Sequence, residues 1–231
     1  MEPKIIGTTM PAVEIQLGAG EAIIADGGEL SWMTDSIEMH TSTSGAGKSG
    51  IFGALKRAVS GGTLFLTEYK AQGSPGAVTF ATKMPGMILD IRIEPGSGYY
   101  SHRHGFLAGT PGIQISPVIQ KLGAGIFGGE GFVLQRLEGS ARAWVGLSGE
   151  VVVLDLPPGQ SLRVHPGHVG LFEERVNFEI ITIKGIANKV FGGDGIFLVR
   201  LTGPGRVWLQ TLPLPNLAHA LLPYLPDKSS N

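Results

Sequence analysis

A ten-residue stretch of this chain is written twice. Gly128-Gly129-Glu130-Gly131-Phe132-Val133-Leu134-Gln135-Arg136-Leu137 returns 64 residues later as Gly192-Gly193-Asp194-Gly195-Ile196-Phe197-Leu198-Val199-Arg200-Leu201. A looser copy stands earlier as Gly61-Gly62-Thr63-Leu64-Phe65-Leu66-Thr67-Glu68-Tyr69. The residues just downstream of each copy repeat as well: Gly139-Ser140-Ala141-Arg142-Ala143-Trp144 matches Gly203-Pro204-Gly205-Arg206-Val207-Trp208, and Gly73 to Phe80 is the counterpart in the first copy. Each unit therefore reads as a turn, a strand, a turn and a second strand. Glycine supplies the positive φ that tight turns need, and alternating apolar residues supply the strand period. A repeat of this length governs the whole architecture.

The openings of the units repeat too. Val13-Glu14-Ile15-Gln16-Leu17 leads to short strands at Glu21–Ala25 and Leu30–Met33, and its later copies begin at Leu89-Asp90-Ile91 and Leu154-Asp155-Leu156. We read three units, roughly 12–87, 88–151 and 152–214, the first lengthened by the small-polar loop Thr41–Gly50. Apolar residues at helical spacing predict a short helix over Ile51–Val59 and a C-terminal helical tail over 215–226, with Leu217, Leu221 and Leu222 on one face. The fold expected is all-β: a double-stranded β-helix or β-sandwich of three similar units with internal pseudo-threefold symmetry and one or two short helices. It is expected as a single domain over 1–231, since a unit of about 64 residues alone has a marginal core.

Composition excludes several function classes. The 231 residues carry 18 Lys and Arg against 19 Asp and Glu, a balance unlike that of a general DNA or polyanion binder. With no cysteine there are no disulfides, thiolate metal sites or cysteine nucleophiles. Met1–Pro11 lacks the basic start and apolar run of a signal peptide, and no apolar run reaches the ~18 residues of a membrane span. A cytoplasmic protein is expected.

Few residues suggest chemistry. Gly45-Ala46-Gly47-Lys48-Ser49 looks like the end of a phosphate loop, but Ser42 stands where that loop needs glycine, and a flexible loop is the better reading. Gly123-Ala124-Gly125-Ile126-Phe127-Gly128 fits a dinucleotide fingerprint literally, yet a strand comes next where a helix is required. Ser31, Ser97 and Ser148 lack a nucleophile-elbow context, and no catalytic set is predicted. Gly96 followed by His102-Arg103-His104 matches the opening of a cupin metal motif. Alternate strand residues share a face, so His102 and His104 are the candidate ligands for a divalent metal, with His165 and His168 in the corresponding region of unit three. The glutamate that pattern wants is replaced by Ala108 or Gly109, so the default expectation is no cofactor. Trp32, Trp144 and Trp208 are expected to pack rather than to stack on bases. Glu68, at the place of Arg136 and Arg200, is expected to meet an arginine of another unit.

Three stretches together carry a family likeness: Gly50-Ile51-Phe52-Gly53-Ala54-Leu55-Lys56-Arg57, Phe127-Gly128-Gly129-Glu130-Gly131, and Leu201 to Thr211 with its Gly203-Pro204-Gly205-Arg206-Val207-Trp208 core. The chain resembles the altered-inheritance-of-mitochondria family of mitochondrial biogenesis proteins, from about Val13 to Leu214. The resemblance implies a fold like that of the trp RNA-binding attenuation protein, a short double-stranded β-helix that assembles into rings. It implies no catalytic residues, and positions 102 and 104 depart from the family pattern.

Three functions stand as expectations. The leading one is a non-enzymatic oligomeric assembly or scaffold protein, a trimer, whose apolar tail suits contact with another subunit, another protein or a membrane surface. The second is a cupin-like metal-dependent enzyme or small-molecule binder built on His102 and His104. The third is an RNA-binding ring, for which the only dense basic spot, Lys48, Lys56 and Arg57, is small.

Overall fold

The computed structural model describes residues 1–41, 66–120, 132–183 and 196–225. The expected loop at Gly45–Ser49, the helix at Ile51–Val59, the glycines at 123–128 and the basic spot at Lys48, Lys56 and Arg57 lie outside the described residues. The protein is nearly all β. The first segment supplies β1 (Glu2–Ile6), β2 (Ala12–Leu17), β3 (Ala22–Asp26), β4 (Leu30–Met33), β5 (Ile37–Thr41), β6 (Leu66–Ala71) and β7 (Gly76–Ala81). The second supplies β8 (Gly86–Ile93), β9 (Tyr99–His102), β10 (Phe106–Gly109), β11 (Ile113–Gln120), β12 (Phe132–Gly139) and β13 (Ala141–Ser148). The third supplies β14 (Val151–Leu156), β15 (Ser161–Val164), β16 (Val169–Glu173), β17 (Asn177–Ile183), β18 (Ile196–Thr202) and β19 (Gly205–Gln210), then α1 (Leu214–Leu221) and a 3-10 turn at Leu222–Tyr224.

Among the described residues all the pairings are antiparallel. The strands form sheets in the orders β1-β2-β7-β4, β5-β6-β3-β10-β13-β8, β11-β12-β9-β16-β19-β14 and β15-β18-β17. Strand β1, at the stretch Met1–Pro11 in which no strand was expected, covers the outer edge of β2. The joins β3–β10 and β9–β16 stitch one segment to the next. A bulge falls at corresponding places, between Leu30 and Trp32, Phe106 and Ala108, and Val169 and Leu171. An extra residue there sharpens the twist and turns each strand inward.

Alternation along the strands places the core. In β2 and β13 the inward positions are buried and the outward ones less so, as a sheet with one wet face requires. Three apolar clusters result, and each borrows from a neighbouring segment. Trp144 packs with Ile15, Ile23 and Phe80, Leu171 joins the cluster of Leu137 and Val145, and Leu134 joins that of Phe172 and Val199. On the outer faces one ion pair recurs. Arg142 grips Asp90 through Nε and Nη2 at 2.8 and 2.6 Å and lies over Trp144, while Arg206 grips Asp155 at 2.7 and 3.2 Å and lies over Trp208. The two are not in the same register: Asp90 stands opposite Trp144, whereas Asp155 stands opposite Arg206.

The expected Glu68–arginine contact is not formed among the described residues. Glu68 sits between Ile24 and His40, whereas Arg136 bonds Glu138 at 2.9 Å and Glu174 at 2.6 Å, and Arg200 meets Glu179 at 3.3 Å. Arg136 and Arg200 each find carboxylates of their own, so neither reaches across to β6. No helix among the described residues is long and apolar enough to cross a membrane.

Candidate functional site

Three turns converge on one cavity of about 440 Å³. They are the β9–β10 turn around Arg103 and His104, the 3-10 turn Pro166–His168, and the link Thr82–Met84 between β7 and β8; β13 and the first residue of α1 complete the wall. The β9–β10 turn is tight because Gly105 donates to the His102 carbonyl at 2.9 Å and accepts from Gly146 N–H at 2.7 Å. A Cβ on Gly105 would lie 2.1 Å from Ser101 Oγ and 3.0 Å from the His102 ring, so only glycine fits.

His102 and His104 both line this cavity, but they do not alternate on a strand as the sequence spacing suggests. Strand β9 ends at His102, and His104 lies exposed in the turn beyond it. His102 places Nε2 3.0 Å from the Gly146 carbonyl, which fixes the neutral tautomer with Nε2–H donating. Burial, opposed by that hydrogen bond and reinforced by the His104 charge, pulls the His102 imidazole down to about 4. His168 donates Nδ1–H to the Gln210 carbonyl at 2.8 Å, and its ring lies 5.9 Å from that of His165. Burial, with His168 second, pulls His165 down. The four histidines therefore divide between two turns. Among the described residues no group of three or more His, Asp or Glu is arranged to hold a metal ion.

Gln210 is the residue that sequence reasoning passed over. It is buried, and both ends of its amide are engaged: Oε1 accepts Ser148 N–H at 3.0 Å and Nε2 donates to the Gly167 carbonyl at 2.9 Å. It thus ties β13 to the 3-10 turn and sets the shape of the cavity. Its only signal in the sequence is a polar residue closing the apolar run Val207-Trp208-Leu209.

Asp26 and His102 hold the same place in successive segments, each the last residue of its strand, opposite Leu66 and Leu134. Burial, then the nearby Glu29, raise Asp26 to about 6 from 3.8. The two groups act oppositely on stability. As pH falls from 6.5 to about 4, the unfolded chain protonates His102 before the folded one does, so folding weakens. Over nearly the same window the folded chain protonates Asp26 first, so folding strengthens. The wild-type contributions oppose each other. We expect Asp26→Asn to lose roughly 2 kcal/mol between pH 6.5 and 4, and His102→Gln, which keeps a donor for Gly146, to gain a similar amount. Urea titrations at the two pH values check this; parallel pH profiles for both variants would contradict it.

The family model described as Mitochondrial biogenesis AIM24 matches residues 4–212 of this chain. The chain belongs to the AIM24 family. It is 27% identical to an uncharacterized protein of Streptococcus pyogenes over 225 residues, covering 95% of this chain and 89% of that one. A crystal structure of another Streptococcus pyogenes protein superposes with a TM-score of 0.77 at 24% identity, covering 97% of this chain and 99% of that chain, which shows the shared fold.

Proposed function

We propose that this AIM24 protein is a non-enzymatic subunit of a homo-oligomeric assembly, a trimer, built as a double-stranded β-helix of three pseudo-equivalent units in a single domain. The observation that carries this reading is the open edge of β14. By strand order β2, β8 and β14 hold the same position in the three segments, each beside the last strand of its own segment. Among the described residues only β2 has its outer edge covered, by β1, while β8 and β14 end their sheets. On β14 the neighbours Val152 and Val153 are 46% and 48% exposed, and Met87 is exposed on β8. An uncovered apolar edge is a template for pairing with another chain. Joining β8 of one subunit to β14 of the next is a head-to-tail contact, which closes into a ring when the rotation allows. The tail adds apolar surface, with Leu221, Leu222 and Leu225 exposed and Tyr224 at 84%.

Lysine on an edge strand blocks such pairing at little cost to the fold. Val153→Lys is therefore expected to convert the assembly to monomer in sedimentation at micromolar concentration, with thermal stability of the chain changed by under about 1 kcal/mol. An unchanged sedimentation coefficient would remove β14 from the interface.

A further inference from the structure

Strand order repeats along this chain as the sequence does. Strand β10 of the second segment pairs with β3 of the first, and β16 of the third pairs with β9 of the second. The two joins share one register. Ala108 stands opposite Ala25 and Gly109 opposite Ile24, as Leu171 stands opposite Ser101 and Phe172 opposite Tyr100. Strands β10 and β16 each carry a bulge just before these residues, and β4 carries the same bulge between Leu30 and Trp32. Trp32 is thus the counterpart of Ala108 and Leu171, and Met33 that of Gly109 and Phe172. On the other side of the join, Arg163 stands opposite Arg200 as Tyr100 stands opposite Arg136, which makes Val164 the counterpart of Ser101. Two joins serve three segments, so one strand of each kind is left over. Among the described residues β4 ends the order β1-β2-β7-β4, and β15 begins the order β15-β18-β17. The difference shows in burial: Ala108, Leu171 and Phe172 are 0% exposed, whereas Trp32 is 53% exposed and Met33 is exposed too. An open strand edge with a large aromatic side chain in solvent is a surface that another strand covers.

We propose that β4 of one subunit pairs antiparallel with β15 of a second copy of this chain, with Trp32 opposite Val164 and Met33 opposite Arg163. The order β2-β7-β4 then continues into β15-β18-β17, as β8-β13-β10 continues into β3-β6-β5 within the chain. The two edges lie in the first and third segments, so the contact is head to tail. This inference rests on the assembly reading for its second copy, but it uses strands other than β8 and β14. Both strands are only four residues long, so the join acts together with the β14 contact and does not hold subunits by itself. Trp32 contributes to the assembly in this way and not to the fold of the single chain.

Disulfide trapping tests the contact, because the chain has no cysteine of its own. Residues facing each other in an antiparallel pair have Cα atoms about 4.5–5.5 Å apart, which a disulfide spans. Met33→Cys and Arg163→Cys, both at exposed positions, are purified separately, mixed in equal amounts at low micromolar concentration and mildly oxidised. The expected product is a disulfide between the two variants, read as a two-chain band on a non-reducing gel. It should form at least tenfold faster than when Met10→Cys, exposed but outside β4, replaces Met33→Cys. Adding Trp32→Ala to Met33→Cys is expected to slow it at least fivefold, with the melting temperature close to that of Met33→Cys alone. Three results would each overturn the proposal: a rate no greater than that of the Met10→Cys control, Met33→Cys linking to itself as fast as to Arg163→Cys, or a chain carrying both changes closing the disulfide within itself at nanomolar concentration. If native mass spectra still show the trimer, those results remove this contact and leave the assembly reading in place. The interchain disulfide, formed by chains that are otherwise monomeric in native spectra, would instead keep this contact and remove the trimer.

Discussion

Trp144→Ala is expected to destabilise the protein by about 4 kcal/mol, the range for deleting a fully buried aromatic side chain. The indole has no exposed surface and packs with residues of β2, β3 and β7, so its loss opens a void that joins two segments. For a chain of this length that is a fall of roughly 10 °C in melting temperature. Its Nε1–H has no partner among the described residues, so Trp144→Phe removes an unsatisfied donor along with some volume and is expected to cost only about 1–2 kcal/mol. The other tryptophans serve as controls. Trp208 holds the equivalent repeat position but is only partly buried, and Trp32 is 53% exposed, so Trp32→Ala is expected within about 0.5 kcal/mol of wild type. Calorimetry of the set checks the order Trp144, Trp208, Trp32. Equal losses at 144 and 32 would contradict the placement of the core.

The second large effect is at a turn. Gly139 ends β12 with φ of +112°, and a Cβ there would lie 2.2 Å from the Gly112 carbonyl oxygen, which is backbone and has little room to yield. Gly139→Ala therefore combines left-handed strain with a clash and is expected to cost about 3 kcal/mol or more. Gly203, 64 positions on, is as crowded: a Cβ would lie 2.2 Å from the Leu156 carbonyl. Gly159 has positive φ but open space around it, so Gly159→Ala is expected to cost only about 1 kcal/mol. Denaturant midpoints separate these cases, and a tolerated Gly139→Ala would mean that β11 and β12 meet differently.

These glycines also show why so much of the fold was legible. A close backbone approach admits no side chain, so glycine returns wherever the geometry returns, and the matching stretches at 139 and 203 expose it. The strand β2 was readable from alternation because one face of its sheet is dry. β1 was not, since most of its residues are exposed and it gains its place by pairing with β2 rather than by burying a face. Glu68 was misread for a related reason: equivalence along a repeat says which strand position a residue holds, not which charges lie within reach.

The cavity was the least legible part. His102 and His104 drew attention by spacing, but β9 stops at His102, and a strand end cannot be placed to one residue from pattern alone. Thr82 and Gln210 carry no motif, and they are 128 positions apart in the chain. They come together because the β7–β8 link and the end of β19 meet around the same three turns, a long-range consequence of sheet order.

Assembly of the chain through its open β-edges is tested most directly by native mass spectrometry of the full chain at low micromolar concentration. The expected spectrum has a dominant species at three times the 24.3 kDa chain mass, lost in Val153→Lys. A wild-type spectrum holding only the 24.3 kDa monomer would contradict assembly through these edges.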